Sequence, residues 1–397
     1  MRKSLVLFVA IALVGASISS PASAAVKSGA KCATKGQTKT SQGKKFTCVK
    51  SGKTLSWDKG VTVSKSVANP SPSSTPSPAV EPMGASTESS KVQEIPAVSI
   101  NNLNAKDVYA RSRQEVEVAI RKSDYKNSFF NFNIGPNQVG SVVSEEKESL
   151  SKAARLWSNV YQPKEQVEVM FYNFIDLEWA KSKYSQITGA QTFRSADSCS
   201  PNYCGGATSG RTGNGPWIYE QGLGGTLWNK STSAHEYTHL AQTSGSPDYW
   251  NIAPLWLVEG MAQFYGEAVG YVPFDSKQIT RGEIHRQYCS DFKSANQGDM
   301  KTLLAKNDFS TIKSLMESVE FPNPRHAQAT TAAAYLLGSY ASEALVAVYG
   351  HSSVEKFIKS FENSNDWKSN FLKSFGLTSE DFYSKLTPYL YEMSKEL

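Results

Sequence analysis

The sequence predicts an α+β fold for the larger part of the chain, with a mixed first lobe carrying a small sheet and a mainly helical second lobe. Three observations point there. Apolar residues recur at helical spacing from about Thr232 to the last residues, a strand-like run Val-Glu-Val-Met-Phe-Tyr occupies Val167–Tyr172, and a polar, Gly-rich stretch over 189–225 separates the two patterns.

In chain order, helical periodicity covers Ala105–Lys122 and then 144–160. The strand Val167–Tyr172 follows, and a further helix is expected over 176–184. The Gly-rich stretch has room for one or two short strands, with Trp217, Ile218 and Tyr219 the best candidate, placed at a sheet edge. No internal repeat of fixed period interrupts this order.

Upstream of 96 the composition changes three times. Arg2 and Lys3 precede an apolar run from Leu5 to Val14, and Ala22-Ser23-Ala24 offers small residues for cleavage, so residues 1–24 read as an export signal. The run is too short for a membrane anchor, and no later stretch reads as apolar enough to span a bilayer. Residues 25–65 carry glycines, Phe46, Trp57, Cys32 and Cys48 in a pattern of short strands and tight turns, a segment that one disulfide could staple. It resembles a small Cys-containing module of secreted actinobacterial proteins. Residues 66–95 are Pro, Ser, Thr and Ala with hardly any large apolar residue, the composition of a disordered tether, and 96–397 form one large globular unit.

Charge is distributed unevenly. The net +6 conceals ten lysines against the single acid Asp58 in residues 27–65, while 66–397 carry a net −5. In an exported, secreted or surface-associated chain, such a basic segment suits an anionic cell-envelope polymer better than nucleic acid; a solvated Lys-rich surface without a partner is the plain alternative. The five cysteines suggest two local pairs, Cys32 with Cys48 and Cys199 with Cys204, leaving Cys289 alone. No Cys-x2-Cys knuckle occurs, which argues against a structural zinc cluster, so the case for a metal rests on histidines.

His235-Glu236-Tyr237-Thr238-His239 supplies them. Residues four apart share one helix face, so two imidazoles can reach one ion, and Glu236, one step round, can address a water beside it. Ser231, Thr232 and Ser233 offer a helix start and Gly245 to Pro247 an end. A third ligand is needed if one position is to stay open for solvent. Glu259 is the candidate, because it stands in a helix begun by Pro254 whose residues 255, 258, 261, 262 and 265 make an apolar stripe, where an unpaired carboxylate is costly.

This constellation resembles the gluzincins, the thermolysin-like and aminopeptidase N-like zinc peptidases, whose His-Glu-x-x-His motif is followed about twenty residues later by a glutamate. Here 19 residues separate His239 from Glu259. The wording Trp256-Leu257-x-Glu259-Gly260-x-Ala262 is nearer the aminopeptidase side, and Val258 stands where these families usually carry Asn. The resemblance implies a zincin-like active-site helix between two lobes, Zn2+ held by His235, His239 and Glu259, Glu236 as general base, and a peptide or protein substrate. Tyr335-Leu336-Leu337-Gly338 is similar to the aminopeptidase N-type Tyr-x-x-Gly helix, which gives Tyr335 the role of stabilising the oxyanion; the plain alternative is a core tyrosine.

His326, after two prolines, is a second candidate for that role and otherwise a loop residue, while His285 and His351 read as surface or helix-end residues. The aminopeptidase Gly-x-Met-Glu-Asn segment is missing, Tyr219-Glu220-Gln221-Gly222 being a faint echo, so exopeptidase activity is not supported. The expected function is that of a secreted zinc peptidase; the alternative is an envelope-binding protein with a structural or vestigial metal site.

Overall fold

The computed structural model describes residues 27–32, 38–41, 44–51, 54–59, 61–62, 97–126, 129–190, 193, 206–212, 215–221, 229–270, 281–295 and 297–397. The segments read as an export signal and a tether, and the pair Cys199 and Cys204, lie outside these residues. Two compact units divide the chain, Met1–Ser89 and Ser90–Leu397.

In the first unit, β1 (Thr38–Ser41), β2 (Lys44–Ser51) and β3 (Thr54–Trp57) form an antiparallel meander, and β4 (Val61–Thr62) also pairs with β2. Its described core is Phe46, Cys48 and Trp57, too few side chains to hold so small a unit by burial alone. The expected Cys32–Cys48 disulfide is present and restrains the unfolded chain where the core is thin.

The second unit is α+β. Helix α1 (Ala105–Lys122) is capped by Asn104, whose side chain accepts from the amides of Lys106 and Asp107. Then come β5 (Phe130–Ile134), α2 (Gly140–Leu156), β6 (Val167–Tyr172), α3 (Leu177–Thr188), β7 (Gly206–Thr212) and β8 (Gly215–Gln221). Helix α2 begins about one turn before the expected 144, with Val143 buried, and ends where residues 157–160 turn.

The sheet order is β5-β6-β8-β7, parallel except for the antiparallel β7/β8 pair. Both faces of β6 are covered, which explains its nearly unbroken apolar run. Val167, Val169 and Phe171 enter the main core, whereas Met170 and Tyr172 join Tyr219 and Ala180 of α3 in a second one. Trp217 and Tyr219 therefore lie on an inner strand, correcting the edge expected there. Among the described residues the edge beside β8 is β7, which pairs with it from Gly206↔Gln221 to Thr212↔Gly215.

The helical lobe follows: α4 (Asn229–Gly245), α5 (Tyr249–Ile252), a π-turn over Trp256–Gly260 running into α6 (Met261–Gly270), and α7 (Arg281–Ser294). The chain continues through α8 (Met300–Leu304), α9 (Phe309–Ser318), α10 (Gln328–Tyr349), α11 (His351–Ser360), α12 (Trp367–Phe375) and α13 (Ser379–Ser394). By length and composition α10 could cross a membrane, contrary to the reading that no later stretch qualifies; 83% of its most apolar window is buried within this unit, the condition of a core helix. The residues from Leu255 to Val269 are buried on every side, not on a stripe alone.

Close backbone approach fixes where these helices cross. A Cβ built on Gly260 would lie 2.2 Å from Gly338 Cα, and one on Gly338 would lie 2.2 Å from the Trp256 carbonyl oxygen. Only paired glycines allow that contact, and it brings the π-turn carrying Glu259 against the helix carrying Tyr335. On the other flank Gly266 faces the first turns of α4, where a Cβ would meet Ser231 O at 2.7 Å and His235 Cβ at 3.1 Å.

Candidate metal centre

Helix α4 is buried by its surroundings more than favoured by its composition. Thr238 accepts from Trp157 Nε1 at 3.1 Å and its hydroxyl donates back to Ala234 O. Tyr237 packs edge-on against Phe130, and the Ser233 amide donates to the buried carboxylate of Glu146 near the helix start. This face anchors the helix to the first lobe and turns the opposite face, with His235 and His239, towards α6.

The three sequence candidates meet there. His235 Nε2 and His239 Nε2 are 3.1 Å apart, and Glu259 Oε2 is 3.5 Å from the first and 3.4 Å from the second. Zinc bound tetrahedrally at ~2.0–2.1 Å sets its ligands roughly 3.3 Å from one another by simple geometry. The three observed separations match the edges of one face of such a tetrahedron, so this buried group could hold a metal ion.

Electrostatics favours a cation at the same point. Burial opposes the charge on Glu259, but hydrogen bonds and charge from His235 and His239 outweigh it and hold the carboxyl well below its ordinary range. Burial likewise opposes charge on His239, and Glu259 outweighs it, raising the imidazole. A carboxylate this enclosed needs positive charge beside it, from protons on the imidazoles or from an ion.

The π-turn aims Glu259. Leu257 and Val258 donate their amides to Pro254 O at 2.9 and 3.0 Å, and the wider turn ends at Gly260, where the Gly338 contact holds it. Such turns are frequent at functional sites because they re-aim one side chain within a helix.

The other candidates have definite places. Glu236 is buried beside the triad, close enough for its charge to act on both His239 and Tyr335. Tyr335 is partly buried, its ring 5.7 Å from that of His235 and stacked on Tyr288 at 5.2 Å. Burial, then the nearby charge of Glu259, push its phenol well above the ordinary value. His326 is exposed in a turn as expected of a loop residue, yet its Nδ1 lies 4.0 Å from Glu259 Oε1, the oxygen not turned to the histidine pair.

Sequence reasoning missed two contributors. Gln242, one turn beyond His239, places Oε1 2.8 Å from His239 Nδ1, and Trp250 lies against the same imidazole with ring centroids 4.6 Å apart. The spacing His239-x-x-Gln242 was the available signal for the first.

Two histidines correct the surface reading. His285 is buried on α7 between Tyr340, at 2.8 Å, and Glu267, at 3.1 Å. His351 is buried at the start of α11, 2.8 Å from Tyr265 OH and 3.1 Å from Leu156 O. Each satisfies a buried network of its own, and Arg113 extends that of His285 through ion pairs to Glu267 at 3.8 Å and Glu343 at 3.1 Å.

No protein-family model, curated protein or solved structure significantly matches this chain.

Proposed function

We propose that the chain is an exported zinc-dependent peptidase of the gluzincin kind, hydrolysing peptide bonds in a protein or peptide substrate. The observation that carries this reading is the convergence of His235, His239 and Glu259 on one point with tetrahedral ligand separations, beside a fourth buried side chain, Glu236. Two imidazoles and a carboxylate suit zinc, and three protein ligands, the number grouped among the described residues, leave one position for solvent.

Bound zinc would supply Lewis acidity, acidifying a water and polarising the scissile carbonyl. Glu236 then takes the proton from the attacking water and returns it to the leaving amine. Tyr335, kept protonated by its surroundings, donates its hydroxyl to the oxygen on which negative charge develops. His235, His239 and Glu259 would hold and orient the ion. Among the described residues β7 is the edge strand beside β8; it packs near α4 and is where an extended peptide would align.

Export rests on the signal-like residues 1–24 and agrees with the Cys32–Cys48 disulfide, a bond that persists in oxidising compartments. Digestion of a peptide library by the full chain tests the function. Cleavage is expected to stop on addition of a zinc chelator and to return with one equivalent of zinc; cleavage indifferent to the chelator would rule out the metal mechanism.

A further inference from the structure

Gln242 is 1% exposed and makes three contacts that belong to one another. Its Nε2 donates to the carbonyl oxygens of Leu257 at 3.1 Å and Val258 at 3.0 Å, both in the π-turn that carries Glu259. The amide cannot be reversed, because Oε1 would then face two carbonyl oxygens with no proton between them. With its nitrogen so committed, its oxygen must face His239 Nδ1 at 2.8 Å.

A carboxamide oxygen only accepts, so Nδ1 of His239 is the nitrogen that bears hydrogen. A neutral imidazole carries one N–H, and Nε2 is left with a free lone pair. That lone pair is on the atom 3.1 Å from His235 Nε2 and 3.4 Å from Glu259 Oε2. Val258 contributes its backbone oxygen to this arrangement and buries its side chain in the core.

We propose that Gln242 is the positioning residue of the metal centre: it decides which nitrogen of His239 faces the ion and ties that ligand to the turn bearing Glu259. This rests on the metal-site reading above, but not on peptide hydrolysis. One side chain thereby couples a ligand of α4 to the ligand that follows it 20 positions later in the sequence. Outer partners of this type typically change metal affinity about 10–100-fold when removed.

The test compares the full-length parent with Gln242→Met, which keeps the length of the side chain and removes both donor and acceptor. Zinc affinity, measured by competition with a chromophoric chelator, is expected to fall about 10–100-fold, with the circular dichroism spectrum unchanged. With 15N-labelled histidine, the zinc-loaded parent is expected to show His239 bound through Nε2, with an Nδ1 proton protected from exchange, and Gln242→Met to lose that protection. A variant that binds zinc as tightly as the parent, or a parent whose His239 carries its proton on Nε2, would overturn the assignment. Should Gln242→Met fail to fold, the parent spectrum decides alone. Were the parent to bind no zinc, the peptidase reading would fall, while the spectrum of the metal-free chain at alkaline pH would still report which nitrogen of His239 holds the proton.

Discussion

Glu236→Gln is expected to retain one zinc ion per chain and to lose catalysis by about 10²–10⁴-fold in kcat, the range that a positioned acid–base group contributes. Retention follows from geometry. The ligand group comprises His235, His239 and Glu259, and Glu236 stands beside it without belonging to it. Glutamine keeps the shape of the side chain and its burial but cannot accept a proton from water. KM should change little, because the carboxylate acts on the attacking water and not on the bound peptide. Metal analysis and initial rates on one cleavable peptide, measured on the same preparation, separate the two effects. A variant as active as the parent would remove Glu236 from the mechanism and leave the metal site standing.

Glu259→Gln is expected to act on the metal itself, weakening zinc binding well beyond the roughly 10–100-fold of an outer partner, because a coordinating anion is lost. Activity at limiting zinc disappears with it. The same substitution has a signature in the metal-free chain. Glu259 is depressed there by the two imidazoles, so its contribution to stability is fully present above the ordinary carboxyl value near ~4.3 and fades as pH falls through the lower folded value. His239 is raised by Glu259, so its contribution is fully present below ~6.5 and fades as pH rises through the higher folded value. The stability difference between metal-free parent and variant should therefore be greatest at about pH 4.3–6.5 and shrink on either side. Thermal melts across pH check this, and a difference independent of pH would contradict the coupling.

Local pattern and structure agree where the pattern is complete within a few residues. Helix α1 has its Asn104 cap and its apolar spacing in one segment, and β6 declares itself by a run buried on both faces. Glu259 was legible because a lone carboxylate in an apolar helix requires positive charge, and the motif upstream offered it. The rest depends on pairing and packing that no local pattern carries. Strand β7, with the sequence Gly-Ala-Thr-Ser-Gly-Arg-Thr, has no apolar alternation and is defined by its pairing with β8. The burial of His285 and His351 is decided by tyrosines 55 and 86 positions away, which no window reveals. The π-turn is equally silent in sequence, since it depends on the fit of Gly260 against Gly338. Gln242 lay within one turn of the motif, but its role needs the carbonyls of Leu257 and Val258, brought to it by the crossing of α4 and the turn.

X-ray absorption at the zinc edge of the full-length protein measures the first coordination shell directly. Two imidazole nitrogens and two light oxygen donors at ~2.0–2.1 Å, one from Glu259 and one from solvent, with no sulfur, are the expected shell, and it should stay the same when Glu236 is replaced by Gln. Zinc held by a thiolate, or by three or more imidazoles, or no zinc in protein purified without chelators, would contradict the centre formed by His235, His239 and Glu259.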